Sequence, residues 1–138
     1  MSVDCFFDTN VIVYAAAGRG SESAKRERAL ELIETRDFGL SAQVLQEFYV
    51  TVTRKIEIPL TPTEALEWIE QLEAFPCLPL DSGLVKIAAE VSLRHRIAYW
   101  DGAILAAAEG LGAEVMYSED LSHGQRYGTV RVLNPFLP

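Results

Sequence analysis

Four acidic residues stand in settings that invite chemistry. In "CFFDTNVIVYA", Cys5–Ala15, a run of strand-forming residues drives straight into Asp8, and apolar residues resume after only Thr9 and Asn10. A lone carboxylate buried there would cost several kcal/mol unless something neutralised it. Glu47 lies in "SAQVLQEFYV", opposite the apolar stripe of Leu45, Phe48, Tyr49 and Val52. Asp101 opens the alanine-rich "YWDGAILAAA", and Asp120 falls in "MYSEDLSHG". If these acids meet, three or four carboxylates in one pocket cannot all stay ionised unaided. A hard divalent cation, Mg²⁺ or Mn²⁺, resolves the conflict, because such ions take oxygen ligands and keep part of their water shell. His95 and His123, 28 residues apart, lack the spacing of a zinc pair.

Each acid also has an ordinary reading. Asp8 could form an Asx turn with Asn10, and Glu47 could be a solvent-facing helix residue. Asp101 could cap its helix and complement the dipole, and Asp120 could be a loop acid after a strand. Whether the four act together depends on the elements that carry them.

Val3–Phe7 reads as a strand and Ser23–Arg36 as a helix with Ala29, Leu30 and Ile33 inward; no periodic element emerges between them. Phe38–Ser41 is a second strand, followed by a helix over Ala42–Lys55 that Ser41 can cap. "TPTE", Thr61–Glu64, is a capping box with proline at the first helical position. Ala65, Trp68, Ile69 and Leu72 then follow at helical spacing. Cys77–Leu80 is a strand candidate, and Leu84, Ile87, Ala88 and Val91 mark another helix. The helix Tyr99–Leu111 ends at Gly110 or Gly112, and Ala113–Tyr117 and Thr129–Leu133 close the chain as strands.

Strands that alternate with helices predict a three-layer α/β/α sandwich around a central parallel sheet of four to five strands. Residues 1–138 show no repeat, low-complexity tract or linker, so one domain is expected. In such a sheet functional groups gather at the carboxyl ends of the strands, where helix N-termini also point. Asp8, Glu47, Asp101 and Asp120 all fall near that edge.

The chain is 49% apolar and 23% charged, a globular balance without a membrane-length apolar run. The opening residues lack a secretion signal. Cys5 and Cys77 sit in apolar runs and read as reduced thiols, so a cytoplasmic protein is expected. The net charge of −8 argues against indiscriminate nucleic-acid binding through a basic surface. It leaves room for a phosphate substrate, since a bound cation inverts the local field. Glu64, Glu67, Glu70 and Glu73 are most simply a solvated helix face.

At "FFDTNVIVYA", "SAQVLQEFY", "YWDGAILAAA" and "YSEDLSHG", in this order and spacing, the chain resembles the PIN-domain nucleases. Within them it is most similar to the VapC-type toxins of bacterial and archaeal toxin–antitoxin pairs. The family's acidic positions fall on Asp8, Glu47, Asp101 and Asp120, its small hydroxyl residue on Ser118, and the position supporting the first aspartate on Asn10. One departure is Gly102, where alanine is more usual and where glycine would loosen the helix start.

The resemblance implies Mg²⁺- or Mn²⁺-dependent hydrolysis of RNA phosphodiesters. Asp8, Asp101 and Asp120 would be ligands, directly or through water, and Glu47 a ligand or the base that steers the water. It also implies a neutralising antitoxin partner and a homodimer, with Trp68, Trp100 or the "VLNPFLP" tail as candidate contacts, although all of these read more simply as core. Substrate phosphates need cations, and Arg54, seven residues past Glu47 on the same helical face, is the first candidate. Arg19, Lys25, Arg26, Arg28 and Lys55 are further candidates, each more simply a solvated surface charge, and His123 and Arg126 lie past Asp120 in what reads as an ordinary polar loop. The alternative is a PIN-fold RNA-binding or protein-interaction module without catalysis, which loss of an acid would favour; none is missing. A phosphoaspartate enzyme would want a second aspartate where Asn10 stands.

Overall fold

The computed structural model describes residues 2–138. Its centre is a six-stranded sheet built from β1 (Cys5–Phe7), β2 (Phe38–Ser41), β3 (Cys77–Leu78), β4 (Val115–Tyr117), β5 (Arg126–Tyr127) and β6 (Val130–Leu133), in the order β3-β2-β1-β4-β6-β5. The five expected strands all form and all pair in parallel. The sixth, β5, was not expected and runs antiparallel to β6. It exists because Gly128, at φ 61°, supplies the positive φ that a two-residue hairpin turn requires. The helices are α1 (Thr9–Ala17), α2 (Ser23–Thr35), α3 (Ala42–Val50), α4 (Pro62–Leu72), α5 (Ser82–His95) and α6 (Tyr99–Gly110). Among the described residues no helix is long and apolar enough to cross a membrane.

Two elements differ from the sequence expectation. Helix α1 occupies a stretch that shows no amphipathic period, because "TNVIVYAAA" is apolar nearly all round and buries Val11, Ile12 and Ala15. Asp8 starts it as N-cap, accepting the Thr9 N–H. The long helix expected over Ala42–Lys55 is α-helical only to Val50 and then widens into a π-helical turn, Thr51–Lys55. The Ser41 cap and the Thr61–Glu64 capping box form as expected.

The core takes Phe6, Phe7, Phe38, Leu40 and Met116 from the sheet and Val44, Phe48 and Ala103–Ala108 from the helices. Phe38 stacks between Phe7 and Phe75, with ring centroids 4.4 and 4.2 Å away. Trp68 is half-buried against Phe48, whereas Trp100 is 65% exposed and does not belong to the core. Cys5 is buried and Cys77 half-buried, both as free thiols. Glu64, Glu67, Glu70 and Glu73 are all exposed.

Gly102 has a packing role in place of the loosening expected of it. It is buried where α6 crosses α5, and a Cβ there would lie 2.8 Å from the Ala88 carbonyl oxygen and 3.0 Å from the Ser92 nitrogen. Its lack of a side chain lets α5 and the first turn of α6, which carries Asp101, approach closely.

Candidate functional site

The strand order reverses between β1 and β4, and this switch point is where an open α/β sheet forms its ligand crevice. Asp8 follows β1 there and Ser118–Asp120 follow β4, linked by the Asp8 N–H donating to the Tyr117 carbonyl at 3.0 Å. Asp8 is only 8% exposed and Ser118 fully buried. The Ser118 hydroxyl donates to Asp8 Oδ2 at 2.7 Å, and the Thr9 N–H donates to Asp8 Oδ1 at 2.7 Å.

These neutral donors do not make up for burial. Burial pushes the Asp8 carboxyl up to about 6, the two hydrogen bonds pull it back only in part, and the charges of Asp120 and Glu47 push it further up. Half-buried Asp101 is also raised, by burial and then by Asp120 and Glu47. Asp8 and Asp101 thus each lie in the field of Asp120 and Glu47.

Asn10 does not hold Asp8. Its amide donates to Asp120 Oδ2 at 3.1 Å and to Ser118 Oγ at 3.5 Å, while its carbonyl accepts the Glu119 N–H at 3.3 Å. The supports are thus crossed: Ser118, beside the last acid, holds the first, and Asn10, beside the first acid, holds the last. Two further residues belong to the site and escaped the sequence reading. Thr9 donates its hydroxyl to Glu47 Oε1 at 2.8 Å. Buried Gln43 donates to Glu47 Oε2 at 3.3 Å and to the Trp100 carbonyl at 3.4 Å, tying Glu47 to the start of α6. Gln43 stands one helical turn before Glu47, a spacing that puts both on one face.

A cavity of about 670 Å³ opens in front of Glu47 and Asp120, with Thr9 and Asn10 in its wall. It continues between α1 and the π-helical turn, past Val13, Ala17, Val50 and Ile56, with Arg19 and Lys55 also in its wall. Arg54 is exposed and outside that wall. The π turn is the reason: the extra residue in the widened turn delays the helical phase, so Lys55 instead of Arg54 returns to the Glu47 face. Lys25 is engaged by Glu119 and Arg28 by Glu31. His123 accepts the Asn134 N–H and His95 packs edge-on against Tyr127.

Among the described residues no three His, Cys, Asp or Glu side chains are gathered closely enough to ligate one ion directly. The donor set is all oxygen, ringed by hydroxyl and amide donors, with the Asp8 and Asp101 carboxyls raised by burial and by the charges of Asp120 and Glu47. Those features fit a hard cation held by one or two carboxylates and, through its own waters, by the others, the ordinary habit of Mg²⁺. They do not fit a zinc cage.

A PIN-domain family model matches residues 5–126, and the chain belongs to the PIN-domain family, whose VapC-type members are nucleases. No curated protein matches the chain by sequence. Among solved structures it is similar to a toxin–antitoxin complex from Klebsiella pneumoniae, with a TM-score of 0.70, 16% identity, and coverage of 96% of this chain and 98% of that one. It is also similar to VapC20 of Mycobacterium tuberculosis, a sarcin-ricin loop cleaving toxin, with a TM-score of 0.65, 18% identity, and coverage of 84% and 89%. FitAcB from Neisseria gonorrhoeae matches with a TM-score of 0.63, 24% identity, and coverage of 96% and 98%.

Proposed function

We propose that the protein is a metal-dependent endoribonuclease acting as the toxin of a type II toxin–antitoxin pair in the cytoplasm. The observation that carries this reading is the Asp8 carboxyl, buried at the switch point of the sheet in the field of Asp120 and Glu47 and held only by neutral donors, in a chain of the PIN-domain family. A protein keeps such a repulsive cluster at a cost in stability when a cation completes it.

Asp8, Asp101 and Asp120 would hold Mg²⁺ or Mn²⁺, in part through water. Once bound, the ion would lower the pKa of a water, orient it towards phosphorus and stabilise the developing oxyanion. Ser118 and Thr9 fix Asp8, and Asn10 fixes Asp120. Glu47, held by Thr9 and Gln43, faces the cavity and is the group to take up the proton of the attacking water. Lys55 and Arg19 on the same wall would receive the flanking phosphates.

With a net charge of −8 the protein has little general attraction for RNA, so cleavage should be confined to few sites in structured RNA. Toxin–antitoxin complexes among its structural neighbours support an antitoxin partner. An apolar segment with a basic side chain would suit the groove, filling its apolar length and neutralising its acidic end. Exposed Trp100, Val85, Ile87 and Leu93 offer apolar surface for a homodimer.

The test is cleavage of a structured RNA by chelated, repurified protein with and without added Mn²⁺ or Mg²⁺. Cleavage at a few sites that needs the ion and stops with EDTA is expected. Full cleavage in EDTA would sink the metal mechanism. Uniform degradation of bulk RNA, or normal growth on high expression of active protein, would remove the toxin role.

A further inference from the structure

Just beyond Asp120 lies a closed set of contacts that the chemistry above does not use. Lys25 Nζ donates to Glu119 Oε2 at 2.5 Å and to the Tyr14 hydroxyl oxygen at 3.3 Å, while the Tyr14 hydroxyl donates to Glu119 Oε1 at 2.5 Å. The same ammonium lies 4.9 Å from the Tyr14 ring centroid and 5.7 Å from that of Phe136, and the two rings meet edge to face. The four residues come from α1, α2, the turn after β4 and the segment after β6.

Glu119 is the chain neighbour of Asp120 and sits between it and Ser118. The Ser118–Asp120 turn is gripped on one side by Asn10, through the Glu119 N–H and the Asp120 carboxylate, and on the other by Lys25 and Tyr14 through the Glu119 side chain. Asp120 itself is exposed and makes no ion pair among the described residues. Its position relative to Asp8 depends on how well that turn is held.

We propose that Lys25, Tyr14 and Glu119 form a positioning clamp that fixes the Ser118–Asp120 turn, so that Asp120 stands where it can share a cation with Asp8. Lys25 then serves the acidic site through Glu119 and does not touch a substrate phosphate. This rests on Asp120 belonging to a cation site, as read above. A half-exposed ion pair adds little to stability, but partners that orient a metal ligand matter for affinity and rate by about 10- to 100-fold, and a misplacement of about 1 Å can cost about 100-fold in rate.

The experiment uses the full chain with Lys25→Met, Glu119→Gln and the two combined. Mn²⁺ binding to chelated protein is read by calorimetry, and kcat and KM are read on an RNA that the unaltered protein cleaves. Each single variant is expected to weaken Mn²⁺ binding and lower kcat by about tenfold or more, with KM within about twofold. The combined variant should be no worse than either single one, because both remove the same clamp. Reversing the pair, Lys25→Glu with Glu119→Lys, should recover part of the loss and shows that folding is not at issue. A Lys25→Met variant that raises KM alone, beside a Glu119→Gln variant that is harmless or binds RNA more tightly, would make Lys25 a phosphate ligand and overturn the clamp. Mn²⁺ binding equal in all variants would overturn it too, leaving the nuclease reading intact. Failure of the unaltered protein to bind Mn²⁺ would remove the cation site and the clamp together.

Discussion

Asp8 and Glu119 are two acids at the carboxyl ends of adjacent parallel strands, and their surroundings push them in opposite directions. Asp8 receives only neutral donors, from Ser118 and Thr9, lies close to Asp120 and Glu47, and is raised to about 6. Glu119, two residues past the end of β4, receives an ammonium and a phenol and is lowered. The fold places the Lys25 ammonium on Glu119, the chain neighbour of Asp120, and among the described residues pairs it with none of the four acids. Charge left uncompensated inside the site, next to charge fully compensated outside it, is what a pocket awaiting an external cation requires.

The largest effect expected from breaking this contrast is at Asp8. If Asp8 holds the proposed ion, Asp8→Asn should lower cleavage by about 1000-fold or more, because several kcal/mol of transition-state stabilisation would depend on that ion. The same change should raise the stability of the metal-free protein at pH 7 by up to about 3 kcal/mol, at about 1.4 kcal/mol per pKa unit, measured by urea unfolding. The sign follows from proton uptake. Between the ordinary aspartate range near 4 and about 6, folded Asp8 keeps a proton that the unfolded chain gives up, so its contribution to stability falls as pH rises through that window. Asp8→Asn should flatten that part of the pH profile, and an unchanged profile would mean that Asp8 is solvated.

Gly102→Ala asks whether packing matters at this edge without altering any charge. The added methyl meets the backbone of α5, so a loss of about 1–3 kcal/mol in unfolding free energy is expected, with a fall in activity as Asp101 shifts. Thr9→Val removes the hydroxyl that fixes Glu47 and should cost about 1 kcal/mol of stability and lower kcat more than it raises KM. The smallest effect expected is from Lys55→Ala, which should weaken RNA binding a few-fold and reduce its salt slope by about 1, while Arg54→Ala changes both less. The reverse order would place Arg54 at the substrate.

The sheet and most helices are legible because their signals are local: apolar runs bounded by turns, the Ser41 cap and the Thr61–Glu64 box. That Asp8 and Asp101 each feel Asp120 and Glu47 follows from parallel topology, which brings strand ends and helix starts to one edge. Helix α1 is hidden because the face it turns to the cavity is largely apolar too, so "TNVIVYAAA" carries no period to read. The π turn after Val50 is a departure from regular phase that residue types do not announce, and it exchanges Lys55 for Arg54 on the cavity wall. The crossed supports of Asn10 and Ser118, and the engagement of Lys25 by Glu119, join residues about 90 to 110 positions apart, contacts that only the folded chain reveals.

The central claim, that the acidic edge is a cation site completed by Asp8, is tested most directly by calorimetric titration of Mn²⁺ into chelated protein at pH 6 in two buffers of different ionisation heat. Asp8 is then about half protonated, so binding should release a fraction of a proton, show a buffer-dependent heat, and weaken sharply in Asp8→Asn. Binding with no proton release and no loss in Asp8→Asn, or no binding at all, would contradict the account.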